Sequence, residues 1–476
     1  MLKEMALQKV PTGIRGLDQI THGGFPKGRT ALVCGGPGTG KTLLGLEFLV
    51  KGATQFNEAG VCFAFEETAE ELVTNIASLG HDLDTLIKAK KLCIDYIHVE
   101  RREIEETGEY DLEALFIRLR HAIDQVKAKR VLLDTIEVLF LGLQNEGIVR
   151  AELRRLFHWL KEAGVTAVIT AEAGEHSLTR YGLEEYVADC VIVLDHRVTE
   201  QISTRRLRVM KYRGSSHGTN EYPFLLDDEG ISVVPITAIG LTHYASTERI
   251  SSGVESLDEM LEGKGFFRGS SILVTGTAGS GKSSFAAAFA DAACSHGESA
   301  LYFAFEESPS QILRNMGSIG IDLNQWLKRG LLKIHSSRPT STGLEGHLAI
   351  MYKQIQESNP SVVIIDPITN LVSIGDLVSV KAMLTRLIDY LKIKAITAMF
   401  TNLVFQGKVE ETQIGISSLM DAWLVLCDLP DGAERTRTLN LLKSRGMAHD
   451  TRNHTFTLSN KGISINGNYQ THAKAH

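Results

Sequence analysis

Short apolar runs alternate with longer amphipathic segments along the first 190 residues. The runs have the length and β-branched content of buried strands, whereas apolar positions in the longer segments recur with the helical period. The predicted strands cover about 30–34, 60–65, 92–97, 130–134, 165–170 and 190–195, and the predicted helices about 41–55, 69–79, 111–127 and 149–163. This alternation predicts a mainly parallel sheet with helices on both faces, which is an α/β fold.

After about residue 190 the strand pattern continues without helices, which predicts an antiparallel extension of the sheet. The segment Pro235 to Arg249 lacks a strong period, and beyond it the whole pattern starts again. We therefore predict two tandem domains of the same kind, with boundaries at residues 1–235, a linker at 236–249 and a second domain at 250–476.

Direct sequence repeats support the duplication. Gly13–Asp18 recurs as Gly253–Asp258 after 240 residues, and Val131–Asp134 recurs as Val363–Asp366 after 232 residues. The spacing falls by eight between these two matches, so one half carries a net deletion there. Elsewhere the register holds.

Two glycine-rich loops carry the chemistry that the repeat predicts. Gly35–Thr42 and Gly276–Ser283 both fit G-x-x-x-x-G-K-[ST], and each lies between a predicted strand and a predicted helix. Such a loop wraps its backbone N–H groups around phosphate oxygens. The predicted nucleotide-binding residues of these loops are Gly38, Thr39, Gly40, Lys41, Thr42, Gly279, Ser280, Gly281, Lys282 and Ser283.

Within these P-loops, the lysine and hydroxyl residues have separate expected roles. Lys41 and Lys282 would reach the β- and γ-phosphates of a nucleoside triphosphate such as ATP. Thr42 and Ser283 would bind Mg²⁺. Asp134 and Asp366 each end an apolar run and would hold the same ion, because a parallel strand delivers its last residue to the loop edge.

Paired glutamates follow another predicted strand in each half. They are Glu66-Glu67 and Glu306-Glu307, and they should emerge at the same edge as the loops. A carboxylate there can orient a water molecule or a hydroxyl group for attack on a γ-phosphate. We predict that the first of each pair, Glu66 or Glu306, is the base.

The K-x-R-G pattern occurs once in each half and supplies Lys211, Arg213, Lys443 and Arg445. Strand alternation would place both cations of a pair on one face. They follow their loops by at least 160 residues, so we expect them to act on the γ-phosphate of a neighbouring subunit. The alternative is an exposed basic strand that pairs with acidic neighbours.

Composition narrows the class of protein. The net charge is −7 and the pI about 6.2, which disfavours a surface dedicated to coating DNA. The six cysteines form no C-x-x-C pair, and no run of 18 apolar residues occurs. We expect a cytoplasmic protein that does not enter a membrane.

With these motifs in place, the chain resembles the KaiC family of RecA-type ATPases, best known from the cyanobacterial circadian clock. The resemblance covers about residues 10–462. Its other marks are Thr21–Gly24, Phe65–Thr68, Arg180–Gly182, Lys211–Gly214 with His217, Glu221–Phe224 and Ser251–Val254.

The resemblance implies two RecA-like P-loop domains in a double-ring homohexamer, with ATP at the subunit interfaces. It implies slow ATP hydrolysis in the first ring, and autokinase and autophosphatase activity in the second, in a timer or signalling hub. By match, Ser78, His217 and Asp228 would line the first ATP site and Arg437 the second, while Glu306 would also approach Mg²⁺.

Ser417 and Ser418 match the two phosphoacceptors of the family, and Thr412 matches a nearby hydroxyl residue. The second acceptor is serine where the clock proteins have threonine. The equivalent stretch of the first half, Arg180–Glu185, has no such pair. Kinase chemistry is therefore expected in the second half and hydrolysis in the first.

The resemblance also bears on partners. A region that resembles the KaiB-docking surface runs from Tyr110 to Arg130, which leaves binding of a KaiB-like protein open. KaiA is not expected, because the chain stops soon after Lys461-Gly462, short of the extension that contacts KaiA.

Two other functions fit the same P-loops. A RecA- or DnaB-like DNA-dependent ATPase would need basic mobile loops, but the candidates, 143–147 and 405–415, hold one lysine against three glutamates. Nucleic acid is therefore not an expected ligand. A nucleotide-gated scaffold without catalysis is the other alternative.

Overall fold

The chain divides into two compact units, residues 1–237 and 238–476. Most of the predicted linker, residues 236–244, lies outside the residues that the structure describes. The structure is a computed structural model and describes residues 7–77, 79–97, 113–140, 146–174, 178–179, 182, 187–199, 202–235, 245–404, 414–431 and 434–468.

The first unit alternates strands and helices up to β8 and then continues as strands. Its strands are β1 (Lys9–Val10), β2 (Phe25–Pro26), β3 (Thr30–Gly35), β4 (Gly60–Ala64), β5 (Leu92–Tyr96), β6 (Arg130–Asp134), β7 (Thr166–Glu172), β8 (Cys190–Thr199), β9 (Ile202–Tyr212), β10 (Glu221–Asp227) and β11 (Gly230–Val233). Its helices are α1 (Leu17–Ile20), α2 (Lys41–Gln55), α3 (Ala69–Ala77), α4 (Leu83–Lys88), α5 (Glu113–Val126) and α6 (Glu146–Glu162), with a 3₁₀ turn at Ile136–Phe140.

The second unit repeats this order. Its strands are β12 (Arg249–Ile250), β13 (Phe266–Phe267), β14 (Ser271–Gly276), β15 (Ala300–Ala304), β16 (Leu332–Ser336), β17 (Val362–Asp366), β18 (Thr397–Leu403), β19 (Ala422–Asp431), β20 (Glu434–Ser444), β21 (His454–Ser459) and β22 (Gly462–Asn468). Its helices are α7 (Glu255–Met260), α8 (Lys282–Ser295), α9 (Pro309–Gly317), α10 (Asn324–Lys328), α11 (Leu344–Ser358) and α12 (Leu377–Ile393), with 3₁₀ turns at Pro339–Ser341 and Ile368–Ile374.

Each unit has one nine-stranded sheet, with the same order in both. In the first unit that order is β11-β10-β9-β8-β3-β7-β6-β4-β5, and in the second it is β22-β21-β20-β19-β14-β18-β17-β15-β16. The six strands from β8 to β5 run parallel, and β9, β10 and β11 extend the sheet antiparallel. The predicted α/β fold with tandem RecA-like domains is confirmed.

Burial explains why the central strands read as continuous apolar runs. Every residue of β3 and of β14 is buried, because helices cover both faces of the parallel part of each sheet. In the first unit, one apolar cluster lies on the α2 side and a second on the side of α5 and α6. The loops that follow the parallel strands consequently share one edge, called the carboxyl edge below.

One helix and one strand have bounds that differ from the predicted ones. Helix α6 begins at Glu146, so it takes in the end of the predicted loop 143–147, whose residues 143–145 lie outside the described part. Strand β8 continues to Thr199 because its pairing with β9 runs the full length of that hairpin. Among the helices that the structure describes, none combines the length and apolar character needed to cross a membrane.

Arg130, at the start of β6, is fully buried. Its guanidinium donates to Glu58 Oε2 at 2.7 Å and to the carbonyl oxygens of Phe48 and Pro11, both at 2.9 Å. The aromatic ring of Phe48 lies 4.4 Å from the guanidinium carbon. One side chain thus ties the sheet to α2 and to the segment before α1.

We predict that Arg130→Met destabilises the first unit by about 3–5 kcal/mol, because it leaves a paired carboxylate and two carbonyl groups without their donor. Urea unfolding, monitored by hydrogen exchange of peptides from α2 and β6, measures the loss in the free energy of unfolding. The control is Arg118→Ala, which removes a largely exposed pair with Asp95 and should cost less than about 1 kcal/mol. Equal losses in the two variants would contradict the assignment.

Glu47 of α2 is a buried carboxyl group that accepts the Ile231 N–H of β11 at 2.8 Å. Burial raises its pKa from 4.5 to about 7, and the bond from Ile231 together with Lys51 and Arg15 opposes this shift, while Asp227 adds to it. The native state therefore holds a proton on Glu47 at pH values where the unfolded chain has released it.

Because the folded pKa lies above the unfolded one, stability should fall as pH rises from about 4.5 through about 7. We predict that Glu47→Gln stabilises the first unit at pH 8 by on the order of 2–3 kcal/mol relative to the parent, and that this difference vanishes near pH 5. Urea unfolding at both pH values is the measurement. A difference independent of pH would refute the titration of Glu47.

Candidate nucleotide and phosphoryl-transfer sites

Both glycine-rich loops lie where a buried strand turns into a long helix. The first joins β3 to α2, and the second joins β14 to α8. Gly40 and Gly281 precede the helices with φ of +101° and +100°, a conformation that favours glycine. A Cβ atom added at Gly38 or Gly279 would meet nothing within 4 Å. The loop backbone is thus open to a ligand, at the N-terminus of a long helix.

The loop lysines fold back over the loops. Lys41 Nζ donates to Gly35 O at 3.0 Å and to Gly36 O at 2.9 Å. Lys282 Nζ donates to the equivalent carbonyl groups, at 3.1 Å and 2.8 Å. Burial lowers the pKa of Lys282, although Asp366 and Glu306 oppose that shift. Both ammonium groups therefore lie where a phosphate held by the loop amides would meet them.

Thr39 and Ser280 occupy equivalent positions in the two loops but differ in their contacts. Thr39 Oγ1 donates to Gly36 O at 2.9 Å. Ser280 Oγ is buried, with no hydrogen-bond partner among the described residues.

The loop hydroxyl and the strand-end carboxylate meet in the first unit. Thr42 Oγ1 lies 2.9 Å and 3.2 Å from the two carboxylate oxygens of Asp134, and Thr170 of β7 donates to one of them. Burial raises the pKa of Asp134, while these hydroxyl groups and Lys41 oppose that shift. A hydroxyl and a carboxylate side by side form an oxygen donor set of the kind that Mg²⁺ uses.

The strand-end carboxylate of the second unit is held differently. Asp366 accepts hydrogen bonds from Tyr302 of β15 and Thr401 of β18. In the described part of the chain, no hydrogen bond joins it to Ser283, although both line the same cleft.

The paired glutamates emerge at the carboxyl edge beside these carboxylates. Glu67 Oε1 accepts from Asn75 at 3.5 Å, and Glu307 Oε1 accepts from Asn315 at 2.8 Å. Burial raises the pKa of Glu67 and Glu307, and the strand-end aspartate of each unit adds to the shift. The second glutamate of each pair is therefore anchored to a helix.

The first glutamate of each pair is exposed to solvent. Glu66 is exposed and accepts a hydrogen bond from Thr135 Oγ1 at 3.3 Å. Glu306 is exposed at the mouth of a cleft of about 360 Å³, together with Lys282, Ser283 and Asp366. A cleft of this volume matches small-molecule sites.

The K-x-R cations of the second unit lie toward the opposite edge of their sheet from the loop. Lys443 of β20 pairs with Trp423, which in turn pairs with Leu273 in the first half of β14. The loop begins at Gly276, three residues beyond Leu273 along β14. The backbone of Lys443 is therefore separated from the start of the loop by about 10 Å along the strands and by two strand spacings across the sheet. The Arg445 N–H donates to Asp421 O, which is level with the start of β14.

The first unit has the same arrangement. Lys211 pairs with Val191, which pairs with Leu32 of β3, and the Arg213 N–H donates to Asp189 O at 2.8 Å. In neither unit does the structure bring these cations to the loop of the same unit.

A β-bulge redirects the strand immediately before each lysine. Met210 and Leu442 are the extra residues, since the pairing register of β9 and β20 shifts there. Each bulge lies before the lysine, and the pairing continues in regular register from the lysine onward.

Lys443 and Arg445 instead hold the predicted phosphoacceptor residues. Lys443 Nζ donates to Ser417 O at 2.9 Å, and an Arg445 N–H donates to Ser418 O at 2.6 Å. Ser417 is half-buried and Ser418 exposed, in a turn that precedes β19. Sequence reasoning predicted these four residues separately, and the fold places them together.

The other residues predicted to line the nucleotide sites lie in separate parts of the fold. Asp228 lies in the β10–β11 turn with its carbonyl beside Gly80, while His217 lies in the loop after β9. Arg437 of β20 lies opposite Asp428, beyond the level of Gly276. Ser78, Thr412 and residues 110–112 and 180–181 lie outside the described residues.

Comparison with known proteins identifies the family. The family model for the KaiC ATPase matches twice, at residues 10–238 and 250–470. The chain belongs to the KaiC family. It is therefore a KaiC-family ATPase with two nucleotide-binding domains, as the two loops predicted.

Individual KaiC-family relatives match over nearly the whole chain. The circadian clock protein KaiC2 of Synechocystis sp. is 55% identical over 97% of this chain and 82% of its own length. The circadian clock oscillator protein KaiC of Parathermosynechococcus lividus is 38% identical over 98% of this chain and 86% of its own length. That of Prochlorococcus marinus is 39% identical over 98% and 94%.

Three features of this KaiC-family chain escaped sequence reasoning. They are the asparagine anchors Asn75 and Asn315, the paired bulges, and the contact of Tyr302 with Asp366. The asparagines repeat at the spacing of 240 that the glutamates show, so the repeat could have revealed them. The bulges left no signal in the alternation of side chains.

We predict that Lys282→Ala removes nucleotide binding from the second unit while the first retains it, because the loop loses the ammonium group that lies over its backbone. Lys41→Ala is the matched control and should remove binding from the first unit alone. Equilibrium dialysis with labelled ADP should give about half the parent stoichiometry for each variant. Unchanged stoichiometry would contradict the assignment.

Proposed function

We propose that the first unit hydrolyses ATP and that the second is a serine autokinase and autophosphatase, in a homohexameric double ring. The observation that carries this proposal is the contact of Lys443 and Arg445 with the backbone of Ser417 and Ser418. It joins the phosphoryl-stabilising cations and the acceptors into one group, remote from the loop of the same unit.

The residues present suit ATP with Mg²⁺. The glycine cradle is open, and the buried hydroxyl of Ser280 has no hydrogen-bond partner in the described chain. Thr42 with Asp134 would hold the ion in the first unit, and Ser283 with Asp366 and Glu306 in the second. When bound, Mg²⁺ would offset the charge of the β- and γ-phosphates.

In the second unit, Glu306 would orient the hydroxyl of Ser417 or Ser418 from an adjacent subunit. The serine oxygen forms a bond to the γ-phosphorus while the bond from that phosphorus to the β–γ bridging oxygen breaks, so ADP leaves. The hydroxyl proton passes to Glu306. Lys282 and the trans cations Lys443 and Arg445 stabilise the charge on the transferring group.

In the first unit, Glu66 would orient water for the corresponding attack. Lys41 and the neighbour's Lys211 and Arg213 would stabilise the transferring phosphoryl group. We place Glu67 and Glu307 beside the bases as anchored carboxylates, and His217, Asp228, Ser78 and Arg437 around the nucleotides.

The strand directions support assembly into a ring. Within each unit, the loop lies at the carboxyl edge and the K-x-R cations toward the other edge, so in this proposal the cations of each site come from a neighbouring subunit. A ring in which each carboxyl edge faces a neighbour's cations would complete every site.

The biological role that we propose is a cytoplasmic timer or signalling hub, since the similar proteins carry circadian clock names. A KaiB-like protein would dock near α5, where Ile117 is 69% exposed. An exposed apolar side chain on a helix offers part of the surface that such a partner would cover.

We predict that purified protein incubated with γ-labelled ATP becomes labelled, and that Ser417→Ala/Ser418→Ala loses the label because the acceptors are gone. The control is Ser379→Ala, a serine at the start of α12. Absence of label from the parent, or label that persists in the double variant, would refute the autokinase assignment.

Mixed assemblies test action in trans. Glu306→Gln chains lack the base, and Lys443→Ala/Arg445→Ala chains lack the cations, so each alone should lose roughly 10³-fold in labelling rate. When the two are assembled together, an intact base faces intact cations at some interfaces, and label should enter the Glu306→Gln chains. A size tag distinguishes the two chains. No recovery in verified mixed rings would contradict action in trans.

A further inference from the structure

The two nucleotide sites differ in what holds the strand-end carboxylate. In the first unit, the loop hydroxyl of Thr42 lies against Asp134, and position 62 of the neighbouring strand is a cysteine. In the second unit, the equivalent strand position is Tyr302, whose hydroxyl donates to Asp366 Oδ2.

The strand register shows how Tyr302 reaches its partner. Ala304 of β15 lies opposite Asp366 of β17, and Tyr302 lies two residues earlier on the same face. A long aromatic side chain spans that diagonal distance. In the first unit Ala64 lies opposite Asp134 in the same register, but the Cys62 side chain carries no hydroxyl.

The chemistry of the two groups fixes the direction of the bond. A carboxylate can only accept a hydrogen bond, so the phenol of Tyr302, which is 1% exposed, is the donor. Thr401 donates to the other carboxylate oxygen, so both oxygens of Asp366 accept hydroxyl groups from outside the loop. Asp134 instead accepts one hydroxyl from Thr170 and one from Thr42 of the loop itself.

We propose that Tyr302 is a positioning residue that holds Asp366 back from Ser283 and so weakens the coupling between Mg²⁺ and nucleotide in the second unit. The proposal rests on the proposed nucleotide function. A carboxylate oxygen that accepts a hydrogen bond has less capacity left for an ion or its water. The first site, without this phenol, would bind Mg²⁺ and nucleotide with stronger mutual dependence.

The test measures binding, so it requires neither hydrolysis nor phosphorylation. In full-length chains that carry Lys41→Ala, the dissociation constant of fluorescent ADP is determined with excess Mg²⁺ and with EDTA. Tyr302→Phe should raise the ratio of the EDTA value to the Mg²⁺ value about 3- to 10-fold, since one hydrogen bond to a charged group is released. Tyr302→Met provides a second variant without the phenol and should shift the ratio in the same direction.

The matched control is Tyr390→Phe, which removes a buried phenol from α12 of the same unit and should leave the ratio unchanged. Thermal unfolding without nucleotide verifies that the variants fold. An unchanged or lowered ratio in folded Tyr302→Phe overturns the inference alone. A parent ratio of one would instead show that the second unit does not couple Mg²⁺ to nucleotide, which overturns the proposed function as well.

Discussion

The common direction of six parallel strands is the constraint on which both candidate sites depend. Every loop that follows those strands emerges at one edge, so glycine loop, strand-end aspartate and paired glutamates converge there without special arrangement. The antiparallel extension carries its chain back, and the K-x-R cations therefore lie near the start of the central strand. Within each unit, the glycine loop and the K-x-R cations are thus kept apart.

The two units share this sheet order but differ in the side chains around it. Thr42 contacts Asp134 directly, whereas the phenol of Tyr302 contacts Asp366 in the second unit. The buried glutamate of α2 has an alanine, Ala288, at the equivalent position of α8. Differences of this kind change the charge and the hydrogen bonding inside each unit while the sheet order stays the same.

Sequence patterns predicted the fold well because they report burial directly. The run that ends at Asp134 is apolar since both faces of its strand are covered, and the helix over 41–55 follows from its period. The glycine loops were predictable because their geometry requires glycine at Gly40 and Gly281.

Contacts between distant segments were not predictable in the same way. The contact of Lys443 with Ser417 joins positions 26 residues apart across a turn and a bulge, and neither element has a periodic signature. The acceptor segment was found by its likeness to a family, and that likeness alone gave no position for the serine carbonyls.

The bulges at Met210 and Leu442 bear on how the two units arose. An inserted strand residue shifts every later side chain, so acquiring the same insertion twice, each time one residue before the lysine, would require two coincident events. Inheritance from one ancestral half is the simpler course. The ancestral single unit then already held these lysine and arginine residues away from its own loop before the chain doubled.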